Sequence, residues 1–134
     1  MAARTKARKR ALDVLFAAEA RGVSAGELLD TQIDEGDAPT NAYTETIVRG
    51  VVADQARIDE LLRDYSEGWT LERMPAVDRN VLRLGVWELL HSDTPEPVVL
   101  SEAVALVQQL STDESPVFVN GVLGAIARDK ATLA

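Results

Sequence analysis

The residues best suited to chemistry lie at the start of the chain, in the stretch MAARTKARKR. Five positive charges fall there with no acidic residue among them: Arg4, Lys6, Arg8, Lys9 and Arg10. Clustered Lys and Arg side chains bind nucleic acids, because contact with phosphates releases the counterions condensed on the backbone. These five residues, called the basic tip below, therefore predict a nucleic-acid contact. A disordered, solubilising terminus is the alternative explanation.

The chain as a whole carries the opposite charge. Its 134 residues include 14 basic and 22 acidic side chains, a formal net charge of -8. No Lys or Arg occurs between Arg83 and Arg128, whereas six acidic residues fall in that interval. A surface of net negative charge repels nucleic acid, so we expect binding to be confined to the basic tip.

The composition gives little support for a catalytic or metal centre. The chain has no cysteine and one histidine, His91, which excludes thiolate metal sites and cysteine nucleophiles. No glycine-rich phosphate-binding loop occurs, and the pair Gly121 and Gly124 is better explained by close packing of helices. We therefore expect no enzymatic activity, no cofactor and no metal ion.

The same composition predicts a cytoplasmic protein without a membrane segment. Absence of cysteine suits a reducing compartment. No charge-free apolar run reaches the length of about 18 residues that spans a bilayer. Charged residues also interrupt the apolar stretch after the basic start, which argues against a secretory signal.

The elements that must position these residues are predicted to be helices. Apolar residues recur at helical spacing along most of the chain, and no alternating strand pattern competes. All five prolines fall in predicted loops or first helical turns, where they interrupt no helix. The sequence predicts an all-α, single-domain compact helical bundle of about six to seven helices over 1–134. The expected helices are 5–21, 24–35, 41–65, a short piece at 71–74, 75–90, one beginning after 97, and one from about 115.

Local signals refine these helices. Ala11, Leu12 and Phe16 are predicted on the buried stripe of the first helix. Ser24, followed three residues later by Glu27, has the spacing of a capping box. The start of the last helix is predicted at Ser115, as its cap, with Pro116 in the first turn.

Single-stranded RNA is the favoured ligand, because RNA recognition combines phosphate contacts with stacking of unpaired bases on aromatic rings. Six aromatic residues are present, and most should serve the core. We expect Tyr65, at a helix end, and Phe118, just inside a helix start, to be the most accessible.

Three stretches resemble the NusB family of transcription antitermination factors: ARTKARKRALDVLF, VDRNVLRLGVWELL with the following PEPVVLSEAVAL, and FVNGVLGAIA. Together they cover most of the chain in the order of that family. The resemblance implies a helical protein that binds boxA RNA of ribosomal RNA operons together with NusE, a small-subunit ribosomal protein. It also implies a role in assembling an antitermination complex on RNA polymerase.

The resemblance further implies roles for single residues. The Arg-rich first helix would touch RNA, as would Tyr65 at the end of the third helix. Glu114, Ser115 and Phe118 would lie beside the RNA, and Asp78 and Glu72 would contact NusE. Two alternatives stay open: a helical protein–protein adaptor without direct RNA contact, and an RNA-binding module related to the N-terminal domains of ribosomal RNA methyltransferases. Formation of a homodimer is also left open.

Overall fold

The computed structural model describes residues 3–133, and within that range the chain is helical without any strand. This confirms the predicted all-α class. Seven α-helices and one short 3₁₀ turn (Leu71–Arg73) follow one another: α1 (Ala3–Arg21), α2 (Ala25–Asp34), α3 (Ala42–Tyr65), α4 (Ala76–His91), α5 (Glu96–Leu110), α6 (Ser115–Arg128) and α7 (Lys130–Leu133). Among these described residues no helix is both long enough and apolar enough to cross a bilayer.

The chain divides into two compact units, one ending at Asp54 and the other beginning at Gln55. Helix α3 contributes residues to both. The division falls where Asp54 leaves the helical region, with φ −120° and ψ 17°. The prediction that the whole chain forms one domain stays a prediction.

The first unit contains α1, α2 and the first half of α3. Helix α1 buries Ala11 and Leu12 as predicted, and Gly22 ends it with a positive φ of 69°. Phe16, which was predicted on the same stripe, is 41% exposed. The prediction was wrong because the buried face of α1 is centred near Ala11 and Leu15, with Leu12 at one edge. At 3.6 residues per turn Phe16 lies about 40° beyond Leu12 and about 140° from Ala11.

Two predicted caps are also corrected. Ser24 occupies the position before α2 with extended backbone angles, but its side chain makes no capping hydrogen bond. It is exposed, so water can satisfy the first N–H groups of the helix. In α6 the cap is Glu114, and Ser115 is already the first helical residue.

The second unit is organised around α4, which packs against α5, α6 and α7. Helix α4 packs tightly against α6 at Gly85, where an added Cβ would lie 2.7 Å from the Leu123 Cδ1 atom. The prediction that Gly121 and Gly124 mark close helix packing was wrong. A Cβ at Gly121 would meet no atom within 4 Å, and at Gly124 it would make only ordinary contacts.

One proline and two arginines hold α4 in place. Pro75 is the cap before the helix, which therefore begins at Ala76 rather than at the predicted residue 75. The Arg79 guanidinium donates to the carbonyl oxygens of Leu71 and Met74 at 2.7 and 3.0 Å, which ties the 3₁₀ turn to the helix. Deeper in the unit, Arg83 Nε donates to Asp59 Oδ1 at 2.8 Å.

Candidate nucleic-acid interface

The basic tip forms the first turns of α1, but its five charges do not all face solvent. Arg4 and Lys6 are exposed, and Lys9 and Arg10 are partly exposed. Arg8 is only 3% exposed, so its charge does not face solvent as the other four do. The cause is helical spacing, since Arg8 lies on the buried side of Leu12, four residues before it.

Arg4 and Arg8 both lie against one aromatic ring in the first turn of α3. The guanidinium carbon of Arg4 is 4.1 Å from the centroid of the Tyr43 ring, and that of Arg8 is 5.8 Å from it. Cations are attracted to the negative face of an aromatic ring at such distances. The ring therefore holds two of the five charges at the start of α1.

The backbone of the same turns is also held by α3. The Asn41 side-chain amide donates to the Ala3 carbonyl at 3.3 Å, and the buried Thr44 hydroxyl donates to the Ala7 carbonyl at 3.0 Å. Isolated helix ends fray, because few bonds hold their first turns. These contacts make the basic tip an ordered part of the first unit, contrary to the alternative of a disordered terminus.

Lys9 and Arg10 each form an exposed ion pair: Lys9 Nζ lies 3.4 Å from Asp13 Oδ2, and Arg10 Nη2 lies 3.4 Å from Asp37 Oδ2. Arg10 Nη2 also donates to the Asp37 carbonyl at 3.0 Å and to Gln32 Oε1 at 3.3 Å. Exposed ion pairs of this kind contribute little in water, so phosphates can replace them at low cost. A cavity of about 250 Å³ opens between Lys6 and Arg10.

The second unit carries an aromatic groove of about 500 Å³, lined by Trp69, Arg73, Pro75, Asp78, Thr112, Glu114, Ser115 and Phe118. We call it the Trp69 groove. The Trp69 and Phe118 rings are tilted by 56° with their centroids 6.0 Å apart. Trp69 is 51% exposed, which leaves an indole face open to a ligand.

Asp78 and Ser115 lie at the base of the Trp69 groove rather than on its rim. Asp78 is 3% exposed and accepts hydrogen bonds from the hydroxyls of Ser111 at 2.6 Å and Ser115 at 2.8 Å. The Thr112 amide in turn donates to Ser115 Oγ at 3.2 Å. Both side chains are almost closed to solvent, and they join α4 to the turn that leads into α6. The predicted contacts of Asp78 with NusE and of Ser115 with RNA stay predictions.

Tyr65 and Phe118 are brought together along a neighbouring cavity of about 580 Å³, which Val117 and Arg128 also line. The Tyr65 hydroxyl donates to Asp129 Oδ2 at 2.6 Å. This hydrogen bond is the largest cause that raises the pKa of the Tyr65 phenol, and burial adds to it. Tyr65 thus lines the cavity with its hydroxyl fixed, and Phe118 lines both this cavity and the Trp69 groove.

The two remaining predicted contact residues, Glu114 and Glu72, are both exposed but lie on different elements. Glu114 lines the Trp69 groove and is exposed, and Glu72 is exposed on the 3₁₀ turn. Sequence reasoning missed Trp69 and Arg73. A tryptophan directly after Gly68, in a turn outside any apolar stripe, is a signal that could have found the exposed indole. Among the described residues no group of three or more potential ligands could hold a metal ion.

Comparison with known proteins gives one consistent result. Residues 5–128 match the NusB family. The transcription antitermination protein NusB of Nocardioides sp. is 68% identical over 135 residues, with 100% of each chain covered. T. maritima NusB has a TM-score of 0.85 at 34% identity, covering 97% of this chain and 94% of that one. A chain in the solved complex of antitermination factors NusB and NusE with dsRNA has a TM-score of 0.79 at 32% identity, covering 93% and 96%. The matches extend over both compact units.

Proposed function

This chain belongs to the NusB family of transcription antitermination factors, and we propose that it acts by binding RNA together with NusE. It is not an enzyme, because the family works by binding in transcription. The finer proposal is that the RNA is the boxA element of ribosomal RNA operons. The assembled pair would then join an antitermination complex on RNA polymerase, which requires a cytoplasmic protein.

One observation carries the RNA-binding proposal: Arg4, Lys6, Lys9 and Arg10 keep exposed charge on a helix end that α3 holds in place. An ordered group of cations loses less conformational freedom on binding phosphates than a flexible tail does. These four residues therefore support specific phosphate contact better than a solubilising role.

The aromatic side chains of the second unit support an unpaired ligand. Trp69, Phe118 and Tyr65 line cavities in which bases could stack, and stacking requires bases that are free of a duplex. The related complex contains dsRNA, so the experiment below includes a duplex of the same sequence.

NusE is proposed to bind the acidic part of the chain. Glu72 and Glu114 are exposed, and no Lys or Arg occurs between Arg83 and Arg128. Ribosomal proteins are commonly basic, and complementary charge favours encounter and register. Two weak RNA binders held together also bind a short RNA more tightly than either alone. The homodimer stays a prediction.

The experiment measures binding of a labelled boxA-type single-stranded RNA over a range of salt concentrations, with and without NusE. Wild type is compared with Lys6→Ala/Lys9→Ala/Arg10→Ala. Each lost phosphate contact should make the slope of log affinity against log salt shallower by about 0.7. We expect weaker binding, a slope shallower by about 2, and tighter binding when NusE is present.

The matched control is Arg21→Ala/Arg57→Ala/Arg63→Ala, which removes the same number of exposed charges elsewhere on the chain. It should bind RNA as wild type does. Equal losses in the two triple variants would mean that net charge alone drives binding. Unchanged binding in the tip variant would favour the protein–protein adaptor. If a duplex of the same sequence binds more tightly than the single-stranded RNA, the proposal of an unpaired ligand is overturned.

A further inference from the structure

We propose that Tyr43 is a positioning residue for RNA binding: its ring holds the Arg4 side chain at the start of α1 in the orientation that meets a phosphate. This inference rests on the proposed function, and it assigns to the first turn of α3 a part in RNA recognition. Tyr43 lies outside the basic tip, carries no charge, and is itself only partly exposed.

The contact geometry distinguishes Arg4 from the other cations of the tip. Its guanidinium lies 4.1 Å from the Tyr43 ring centroid, within the range in which cation–π attraction is effective. Arg8 lies 5.8 Å from the same centroid and is buried, so it has little surface to offer a phosphate. Arg4 contacts the ring and is an exposed residue, so a phosphate can approach it from solvent.

Backbone contacts support the same assignment. Asn41 and Thr44 flank Tyr43 in the chain and donate to the carbonyls of Ala3 and Ala7, on either side of Arg4. The backbone that carries Arg4 is therefore fixed by the neighbours of Tyr43, and its side chain is fixed by the Tyr43 ring. Residues 41–44 thus order both the main chain and the side chain at Arg4.

The expected effect is on ordering rather than on charge. A long Arg side chain loses rotamer freedom when it binds a phosphate, and a side chain already held by a ring has less freedom to lose. Removal of the ring should thus weaken RNA binding without changing the number of phosphates contacted. Removal of Arg4 itself should weaken binding and also make the salt slope shallower.

The test compares Tyr43→Leu, Tyr43→Phe, Arg4→Ala and Tyr43→Leu/Arg4→Ala in salt-dependent binding of the boxA-type single-stranded RNA. We expect Tyr43→Leu to lose about three- to fivefold in affinity with an unchanged slope. Tyr43→Phe keeps the ring and should bind like wild type. Arg4→Ala should make the slope shallower by about 0.7, and Tyr43→Leu should then have a smaller effect than in wild type.

Phe16→Leu is the matched control, because it exchanges an exposed aromatic ring in the same unit for the same aliphatic side chain. It should leave RNA affinity unchanged. A purely structural role of Tyr43 would lower the melting temperature without this pattern: Tyr43→Leu would then weaken binding equally with and without Arg4. That result would overturn the proposal.

A second measurement does not depend on the Leu variant being folded. In wild type, the NMR resonance of the Arg4 Nε–H group should be shifted by the ring current of Tyr43 before RNA is added. A resonance at the position of an unstructured arginine would overturn the proposal. If wild type binds RNA and Arg4→Ala weakens it while Tyr43→Leu is silent, only the positioning role fails. If neither variant matters, Arg4 makes no RNA contact and the proposal fails, whereas the Lys6→Ala/Lys9→Ala/Arg10→Ala variant decides the RNA-binding role of the tip.

Discussion

Asp78, in the first turn of α4, supports the Trp69 groove as a buried hydrogen-bond acceptor. Its carboxylate accepts the hydroxyls of Ser111 and Ser115, and Ser115 also accepts the Thr112 amide. A buried carboxylate costs free energy unless such bonds satisfy it, and here they join α4 to the turn before α6. The position of Glu114 and Phe118 on the Trp69 groove depends on this cluster.

The first prediction concerns this cluster. Asp78→Ala removes the carboxylate that accepts the hydroxyls of Ser111 and Ser115, inside the protein. We expect the free energy of unfolding in urea to fall by about 1–3 kcal/mol. Asp113→Ala, an exposed acid in the adjoining turn, should change it by less than about 0.5 kcal/mol. Equal stability of the two variants would mean that water replaces Asp78.

The second prediction concerns the ionisation of Tyr65. Its hydrogen bond to Asp129 raises the pKa of the phenol in the folded state. The resulting stabilisation is complete below the ordinary phenol pKa of about 10, and it is lost as pH rises through the higher folded-state pKa.

An absorbance titration of phenolate formation tests this in a Tyr43→Phe background, which leaves Tyr65 as the remaining tyrosine. Asp129→Ala should shift the titration to lower pH, toward the ordinary value. Identical titration curves with and without Asp129 would contradict the role of this hydrogen bond.

These residues also show what the sequence could predict about the site. Residue types and spacing located the basic tip, and they placed Tyr65 and Phe118, which line one cavity. The burial of Arg8 follows from its spacing to Leu12, so helical phase could have predicted it. The burial of Asp78 depends on hydroxyls more than 30 residues away, which no local pattern reports.

At the level of elements, the helices were predictable because apolar spacing and prolines mark them. The contacts between helices were not, since a glycine packs closely only where a neighbouring helix approaches it. Gly85 meets Leu123 across the contact of α4 with α6, whereas Gly121 faces open space. Both glycines lie in predicted helices next to apolar residues in the sequence. The sequence alone therefore could not tell which one packs closely, and the prediction chose the wrong one.

The third prediction uses these two glycines as a matched pair. Gly85→Ala places a methyl group against the fully buried Leu123, and it should destabilise the protein by about 1–3 kcal/mol. Gly121→Ala adds a methyl group in open space within a helix, and it should stabilise by about 0.5–1 kcal/mol. Thermal and urea unfolding measure both. A loss at Gly121 or a gain at Gly85 would contradict the packing described here.

At the scale of the whole molecule, charge is separated along the chain. Five of its 14 basic residues lie in the first ten positions, and the net charge is nevertheless -8. The acidic surface should suppress binding of nucleic acid away from the tip. Composition alone could predict this separation, because the sum and order of charges require no knowledge of packing.

The fourth prediction follows from this charge distribution. The partly or fully exposed cations of the tip are Arg4, Lys6, Lys9 and Arg10. If each neutralises one phosphate of a single strand, log affinity should fall with log salt at a slope of about -3.

Fluorescence anisotropy of labelled RNA in the absence of NusE measures this slope. A much steeper slope would mean that further cations take part, and Arg73 and Arg128, which line the aromatic cavities, would be the first to test. A slope near zero would contradict phosphate binding by the tip.

The two tryptophans occupy opposite environments, and this gives the protein an internal optical reporter. Trp69 is 51% exposed on its groove, whereas Trp87 is 7% exposed inside the second unit. A solvated indole emits at longer wavelength than a buried one. Quenching at the long-wavelength edge would therefore report occupation of the groove by a base, while the short-wavelength emission of Trp87 would report that the unit remains folded. One emission spectrum can thus follow ligand and fold together, without an added label.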